Sequence, residues 1–311
     1  MLGKAMRSLP LVPFLLWLGI FILVPLGLVV YYGVTVDEPI PYTEVTLPSG
    51  EVAYQTEEGL LPDAPIGQTR ARFSLDNLRR FFDPMYVRLM GRSLSIALQT
   101  TLVCLVLGYP VALILTSKSF KRRNLMLMLI ILPMWMNFLL RTYAWLSLLE
   151  NSGIVNSLLE MLGLPKQRFL YNERAVVLGM VYNFLPFMVL PLYTVMEKID
   201  HSLLEAAADL GANPLKCFLR IMFPFSLPGV LEGVTMVFVP AVTTFVISQL
   251  MGGGKVPLIG DIIQQQFGKA NDWHFGAAMS LLVMVVVLAF MYALNRTDTE
   301  GDAKGGEVQI W

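Results

Sequence analysis

The sequence predicts an all-α integral membrane protein with six transmembrane helices and both termini cytoplasmic. Three observations carry that fold class. Hydrophobic residues fill 55% of the 311 positions and charged residues only 15%, with a mean hydropathy of +0.61, whereas a soluble chain carries about 25% charge. Six mostly apolar runs reach the length of roughly 20 residues that a helix needs to cross a bilayer. Lysine and arginine are shared unequally among the loops between them. The same composition excludes disorder, collagen, a coiled coil and a secreted disulfide scaffold.

The runs fall at 9–32, 93–116, 125–149, 175–196, 227–251 and 275–294. Lys4 and Arg7 precede the first. It is longer than the roughly 7–15 residues of a cleaved signal peptide, and no small-x-small site follows before Asp37, so an uncleaved anchor is expected. With residues 1–8 inside, the cytoplasmic segments also collect Lys118, Lys121, Arg122, Arg123, Lys198, Lys216, Arg220, Arg296 and Lys304. The short outer loops hold only Lys166, Arg168, Arg174, Lys255 and Lys269. This asymmetry sets the orientation. The expected layout is a six-span domain over 9–296 and a cytoplasmic tail over 297–311.

The long external loop, 33–92, begins acidic and proline-rich through Asp37, Glu38, Glu44, Glu51, Glu57, Glu58 and Asp63. That half reads as a solvated loop whose charge can attract a cation or a basic patch. Its second half, about 73–90, has a helix-like pattern leading into span two. Lys+Arg and Asp+Glu both number 23, which excludes a nucleic-acid footprint. Cys104 and Cys217 make no disulfide framework or zinc site, and His201 and His274 are too few for a histidine metal site. Met251 to Lys255 (MGGGK) lacks the second glycine and the Ser/Thr of a phosphate loop.

The loop over 197–226 between spans four and five carries the strongest pattern. Ser202 with Glu205 reads as a capping box opening a helix. Leu203, Leu204, Ala207 and Leu210 repeat at helical spacing, and Gly211 falls where that helix should end. Asn213-Pro214 starts a second short helix, with Asn as cap and Pro at the first position, and Pro224 should stop it. Glu205-Ala206-Ala207, Gly211, Ile221 and Pro224 stand at spacings that resemble the EAA motif of ABC-importer permeases. Phe223 departs from the leucine usual before that proline, a conservative change. In that family the loop is a coupling helix that docks in a groove of the ATP-binding subunit. Small Ala206 and Ala207 suit a narrow cleft, and Glu205 and Asp209 offer charge to arginine or lysine on the partner.

Further stretches are similar to the polyamine (spermidine/putrescine) permeases among those importers. They are Leu107 to Pro110, Phe138 to Trp145, Leu185 to Met188, Leu250 to Gly254, Ile259-Gly260 and Asp272 to Ala277. The resemblance implies a type I importer (MetI-like) permease in a bacterial inner membrane. It also implies a second homologous permease, two ATP-binding subunits that carry the ATP and magnesium, and an external substrate-binding protein. No cofactor, metal or catalytic residue is expected in this chain. An importer permease for another small solute, such as an opine or amino-acid derivative, is the near alternative. A self-sufficient secondary transporter or channel is the distant one, and it would normally show a half-to-half repeat, which is not visible. A membrane enzyme would need a clustered His, Asp or Cys set, and none is seen.

Polar residues inside spans are candidates for the translocation path: Asn137, Arg141, Tyr143 and Trp145 in span three, Tyr182 and Asn183 in span four, Glu232, Thr243, Thr244 and Gln249 in span five. Arg141 is expected to order a partner interface, neutralise a carboxylate or line the path. Glu232 is expected to be paired or to face a vestibule. Gly229 and Gly233 form a GxxxG packing face. A dication calls for carboxylates or aromatic faces. The outer half of span five has no carboxylate, leaving Tyr182, Trp145 and Glu150 to supply rings and one acid. Pro133, Pro186, Pro191 and Pro240 are candidate hinges.

Overall fold

The computed structural model describes residues 11–46, 52–56, 59–61, 69–117 and 122–305. Lys4, Arg7, Glu51, Glu57, Glu58, Asp63, Lys118 and Lys121 lie outside these, as do the side chains of His201 and Lys304. Among the described residues five helices are long and apolar enough to cross a membrane, and a sharply bent pair makes a sixth span if counted as one. The chain divides into two compact units, 1–84 with 263–284 and 85–262 with 285–311.

In the first unit α1 (Leu11–Leu18) runs through a π turn (Gly19–Leu23) into α2 (Val24–Gly33). The segment after it is not the unstructured loop expected from its composition. β1 (Thr35–Pro39) pairs antiparallel with β5 (Thr69–Phe73), Thr35 opposite Phe73. Between them β2 (Thr43–Thr46), β3 (Val52–Thr56) and β4 (Gly59–Leu61) form an antiparallel meander. Alternating β-branched residues such as Thr35 and Val36 were the available signal, but acidic and proline residues obscured it. A short α3 (Asp76–Arg80) follows.

The seam of this unit is polar. His274, at the start of α14 (Trp273–Gly305), reaches Asp37 Oδ2 through Nε2 at 3.2 Å. Its Nδ1 lies 3.1 Å from both Thr35 Oγ1 and the Tyr32 carbonyl. Arg80 pairs with Asp272 at 3.3 Å and lies 4.1 Å over the Phe275 ring. His274 is thus a structural staple that holds the strand pair to a helix end.

The second unit is built on α4 (Pro84–Thr116), which starts nine residues before the apolar run, at a proline suited to a first helical turn. Span three is broken. α5 (Arg123–Ile131) tightens into a 3₁₀ turn (Leu132–Trp135) at Pro133, and Met136 is extended. Asn137 then caps α6 (Phe138–Leu149), its Oδ1 accepting from Leu139 N at 2.8 Å. α7 (Ile154–Met161) continues this arm, and the two arms meet at 99°. The span expected over 125–149 is two helices, broken at the candidate hinge Pro133, with a capping asparagine beginning the second.

α8 (Glu173–Glu197) is span four, and its Pro186 and Pro191 sit inside the helix. α11 (Phe223–Thr243) packs along it. A Cβ on Gly229 would stand 3.0 Å from Val195 Cβ, and one on Gly233 2.7 Å from Met188 Sδ. The two helices therefore touch backbone to side chain, as the GxxxG spacing predicts. Span five ends earlier in the chain than expected, at Thr243. Thr244 is extended, and a separate α12 (Val246–Gly252) follows, then α13 (Ile259–Gln265).

Candidate coupling loop and translocation path

The loop after span four folds into α9 (His201–Asp209) and α10 (Pro214–Cys217). The cap is Asp200, whose Oδ1 accepts from Ser202 N at 2.9 Å, and not Ser202. Both residue types cap well, and the acid two residues earlier takes the cap, its carboxylate also favourable at the positive end of the helix dipole. At the far end Gly211 N donates to Ala208 O at 2.9 Å and Ala212 N to Ala207 O at 3.0 Å. Gly211 has φ +80°. Those two bonds and that left-handed residue are a Schellman turn, which glycine adopts without a Cβ penalty. Asn213 Oδ1 then accepts from Lys216 N at 2.8 Å, closing the start of α10 as its sequence predicts.

Pro224 does not stop the chain. A π turn (Phe218–Met222) joins α10 to α11, with Phe223 N donating to Phe218 O five residues back. The widened turn gives room for a proline that would otherwise clash with the carbonyl four residues earlier. Residues 214–243 thus form one continuous helical rod.

Glu205, Ala206 and Asp209 are exposed, and Ala207 and Ile221 half-buried. Leu203 is 44% exposed, Leu215 63%, Leu219 55% and Leu210 88%. Leucine at the tip of a rigid, doubly capped turn is an apolar surface awaiting a cover. Tyr109 in α4 reaches this segment from the other side, its Oη 2.7 Å from Ser226 Oγ. The Tyr109 ring packs edge-on to Phe218 at 5.7 Å. The sequence displayed Tyr109 inside a recognised stretch but gave no hint of its partner, 117 residues away.

The predicted path residues do not gather at one point. Trp145 and Tyr182 meet edge to face at 5.2 Å. Asn137 serves as a helix cap. Tyr143 and Glu232 are exposed on their helices. Arg141 is buried with Nε and Nη1 unpartnered. Asn183 is buried, donating from Nδ2 to Gly179 O at 2.8 Å while its Oδ1 has no partner.

Thr243, Thr244 and Gln249 lie around the break that ends span five, and here the structure adds a residue the sequence reading missed. Gly260 approaches that break so closely that a Cβ on it would stand 2.8 Å from Thr244 O. Asp261 follows, only 3% exposed. Its Oδ2 accepts from Leu258 N at 2.7 Å, the reach-back bond of a capping box. The Ser93 hydroxyl of α4 accepts from Ile259 N at 2.8 Å and fixes the same turn. Burial raises the Asp261 pKa, while Leu258 N–H and the Ser248 and Gln249 side chains beside it act in the opposite direction. Oδ1 makes no hydrogen bond. The signal was a lone acid in a short apolar stretch after the last polar residue of span five. Among the described residues no group of three or more His, Cys, Asp or Glu is placed to hold a metal ion.

Residues 105–297 match the family of binding-protein-dependent transport system inner membrane components. The chain belongs to this family. The permease is 46% identical, over 69% of its length and 79% of the relative, to the spermidine/putrescine transport system permease protein PotB of Escherichia coli. It is 40% identical to the protein of the same name from Haemophilus influenzae, over 70% and 78% of the two chains. A crystal structure of a bacterial ABC transporter involved in import of the acidic polysaccharide alginate superposes with TM-score 0.70 and 16% identity, covering 96% of the permease and 98% of the solved chain. That likeness speaks for the fold. The matched segment contains the candidate coupling loop, the α8–α11 packing face and Asp261, and it begins within α4.

Proposed function

We propose that the permease is one half of the membrane pore of an ATP-driven importer for polyamines of the spermidine/putrescine class, receiving cargo from an external binding protein. The carrying observation is the 201–222 segment. Its two short helices, each closed by its own side-chain cap and joined by the Gly211 turn, present Leu203, Leu210, Leu215 and Leu219 to solvent. That is the form of a lever tip. Covering one such leucine in a partner groove contributes about 1.5–3 kcal/mol, and Glu205 and Asp209 flank the apolar tip with charge. The cargo class is supported by the printed names of relatives at 40–46% identity.

The remaining parts take these roles in the same reading. Two ATP-binding subunits supply ATP and magnesium and push on the α9–α10 tip as they close. The push travels through the π turn into the α11 rod. Tyr109–Ser226 carries it to α4, and the Gly229–Gly233 face carries it to α8. Packed interfaces of this kind shift between discrete arrangements and do not deform smoothly. A second homologous permease completes the pore. In this reading residues 1–8, the 197–226 loop and 297–311 lie on the cytoplasmic side, and 33–92 is external. The Trp145–Tyr182 ring pair and the Thr243, Thr244 and Gln249 cluster line the path, with Arg141, Asn183, Tyr143 and Glu232 as further contacts at the partner interface or vestibule.

The test is uptake of labelled spermidine and putrescine by membranes containing the whole system, with this chain intact or carrying Gly211→Asp. ATP-dependent uptake that the substitution abolishes, at unchanged membrane levels, is the expected result. ATP-dependent, Gly211-dependent uptake of a different solute only would keep the importer and remove the polyamine assignment. Uptake indifferent to ATP and to Gly211 would remove both.

A further inference from the structure

Asp261 is a buried acid whose neighbours Leu258, Ser248 and Gln249 favour its charged form while burial opposes it. The carboxylate is 3% exposed, and one of its two oxygens has no hydrogen-bond partner. Its other oxygen caps Leu258 N, a task that an asparagine carbonyl would perform without burying a charge. Leaving a charged acceptor buried and half-satisfied costs more than a neutral one. Ser248 and Gln249 stand beside the carboxylate. Gln249 and Thr243 are exposed, and the Thr243 backbone abuts Gly260. The acid is thus sealed directly behind the break in span five, between a fixed turn and a short helix.

From this placement we infer that Asp261 is a cargo-contacting residue, whose free Oδ1 accepts an ammonium group of the polyamine when α13 parts from α12 and from the 244–245 break. The inference rests on the polyamine reading above and names the carboxylate that span five itself lacks. The chemistry is complementary in both directions. An ammonium entering a site of low polarity needs a counter-charge, and the buried carboxylate gains the donor it is missing. The Ser93 and Leu258 bonds hold the turn, so that parting exposes a carboxylate already in position.

The experiment uses the complete transporter in proteoliposomes, with loaded binding protein and internal ATP, and reads spermidine taken up per ATP hydrolysed. Asp261→Asn keeps the cap to Leu258 N and removes only the charge. The expected result is a fall of at least tenfold in uptake per ATP. Moving the acid across the contact, in the double variant Asp261→Asn with Gln249→Asp, is expected to recover at least a third of the unsubstituted ratio. A merely structural role for Asp261 would not be rescued by an acid on another helix, so failure of that rescue overturns the inference. So does a single variant with an unchanged ratio. Absence of polyamine uptake by the unsubstituted complex overturns the cargo reading itself, and this inference with it.

Discussion

Replacing Gly211 by another residue adds a side chain at φ +80° with no heavy atom within 4 Å of the new Cβ. The perturbation is therefore conformational and involves no clash. An L-residue held in the left-handed region costs roughly 1–2 kcal/mol, less for asparagine, whose short polar side chain tolerates it, and more for a β-branched residue. A loss of that size shifts the balance between the closed Schellman turn and an open one by roughly 5–30-fold. The open turn forfeits the Ala212–Ala207 and Gly211–Ala208 bonds and releases Leu210 from its fixed position. The assay is retention of the ATP-binding subunits on the detergent-purified permease pair, with ATP-dependent uptake measured in parallel. The expected order is Gly, then Asn, then Ala, then Val, with Val weakest. Valine performing as well as asparagine would refute the reasoning, because backbone strain would then not be what glycine relieves.

Three further outcomes are expected. Gly229→Ala should destabilise the permease by about 1–3 kcal/mol, read as a lower Tm in detergent, because its Cβ meets Val195 Cβ and the Pro191 carbonyl at 3.0 and 3.1 Å. Gly233→Ala should cost less, since its nearest neighbour is the movable Met188 Sδ; equal losses would contradict this. Tyr109→Phe removes the bond to Ser226, worth about 0.5–1.5 kcal/mol net, and should lower uptake while leaving ring packing and Tm nearly intact. Finally, a carboxyl whose folded pKa is raised, as burial raises that of Asp261, loses stability as pH climbs from the ordinary carboxylate range through the folded value. Asp261→Asn should therefore melt above the unsubstituted chain at neutral pH, with the gap closing in acid; a gap independent of pH would show that the charge is not the cause.

Much of this molecule was legible in short stretches of sequence. The apolar runs placed the spans, because crossing a bilayer is a requirement on length and polarity alone. Gly211, Asn213 and Pro214 announced the turn and restart of the coupling loop, because caps and left-handed residues depend on neighbours one to five positions away. Local rules misled where two neighbours competed. Asp200 took the cap assigned to Ser202, and a π turn carried the chain past Pro224. In span three the signals were present, Pro133 and Asn137 at adjacent turns, but hydropathy averaged over them.

What only the tertiary structure decided lies at long sequence separation. β1 and β5 pair across the acidic, proline-rich chain of residues 40–68, and a register between distant strands is written in no single window. Tyr109 found Ser226, and Ser93 found Ile259 N. Asp261 carries no pattern of its own. Its meaning comes from burial behind the break in span five, beside Ser248 and Gln249. The sequence by itself determined where the apolar spans fall and how the 201–222 segment is capped and turned, since hydropathy and capping are local. The packing of separate helices decided which carboxylate is left buried with an unused oxygen, since burial is a property of everything around a residue and not of the residue.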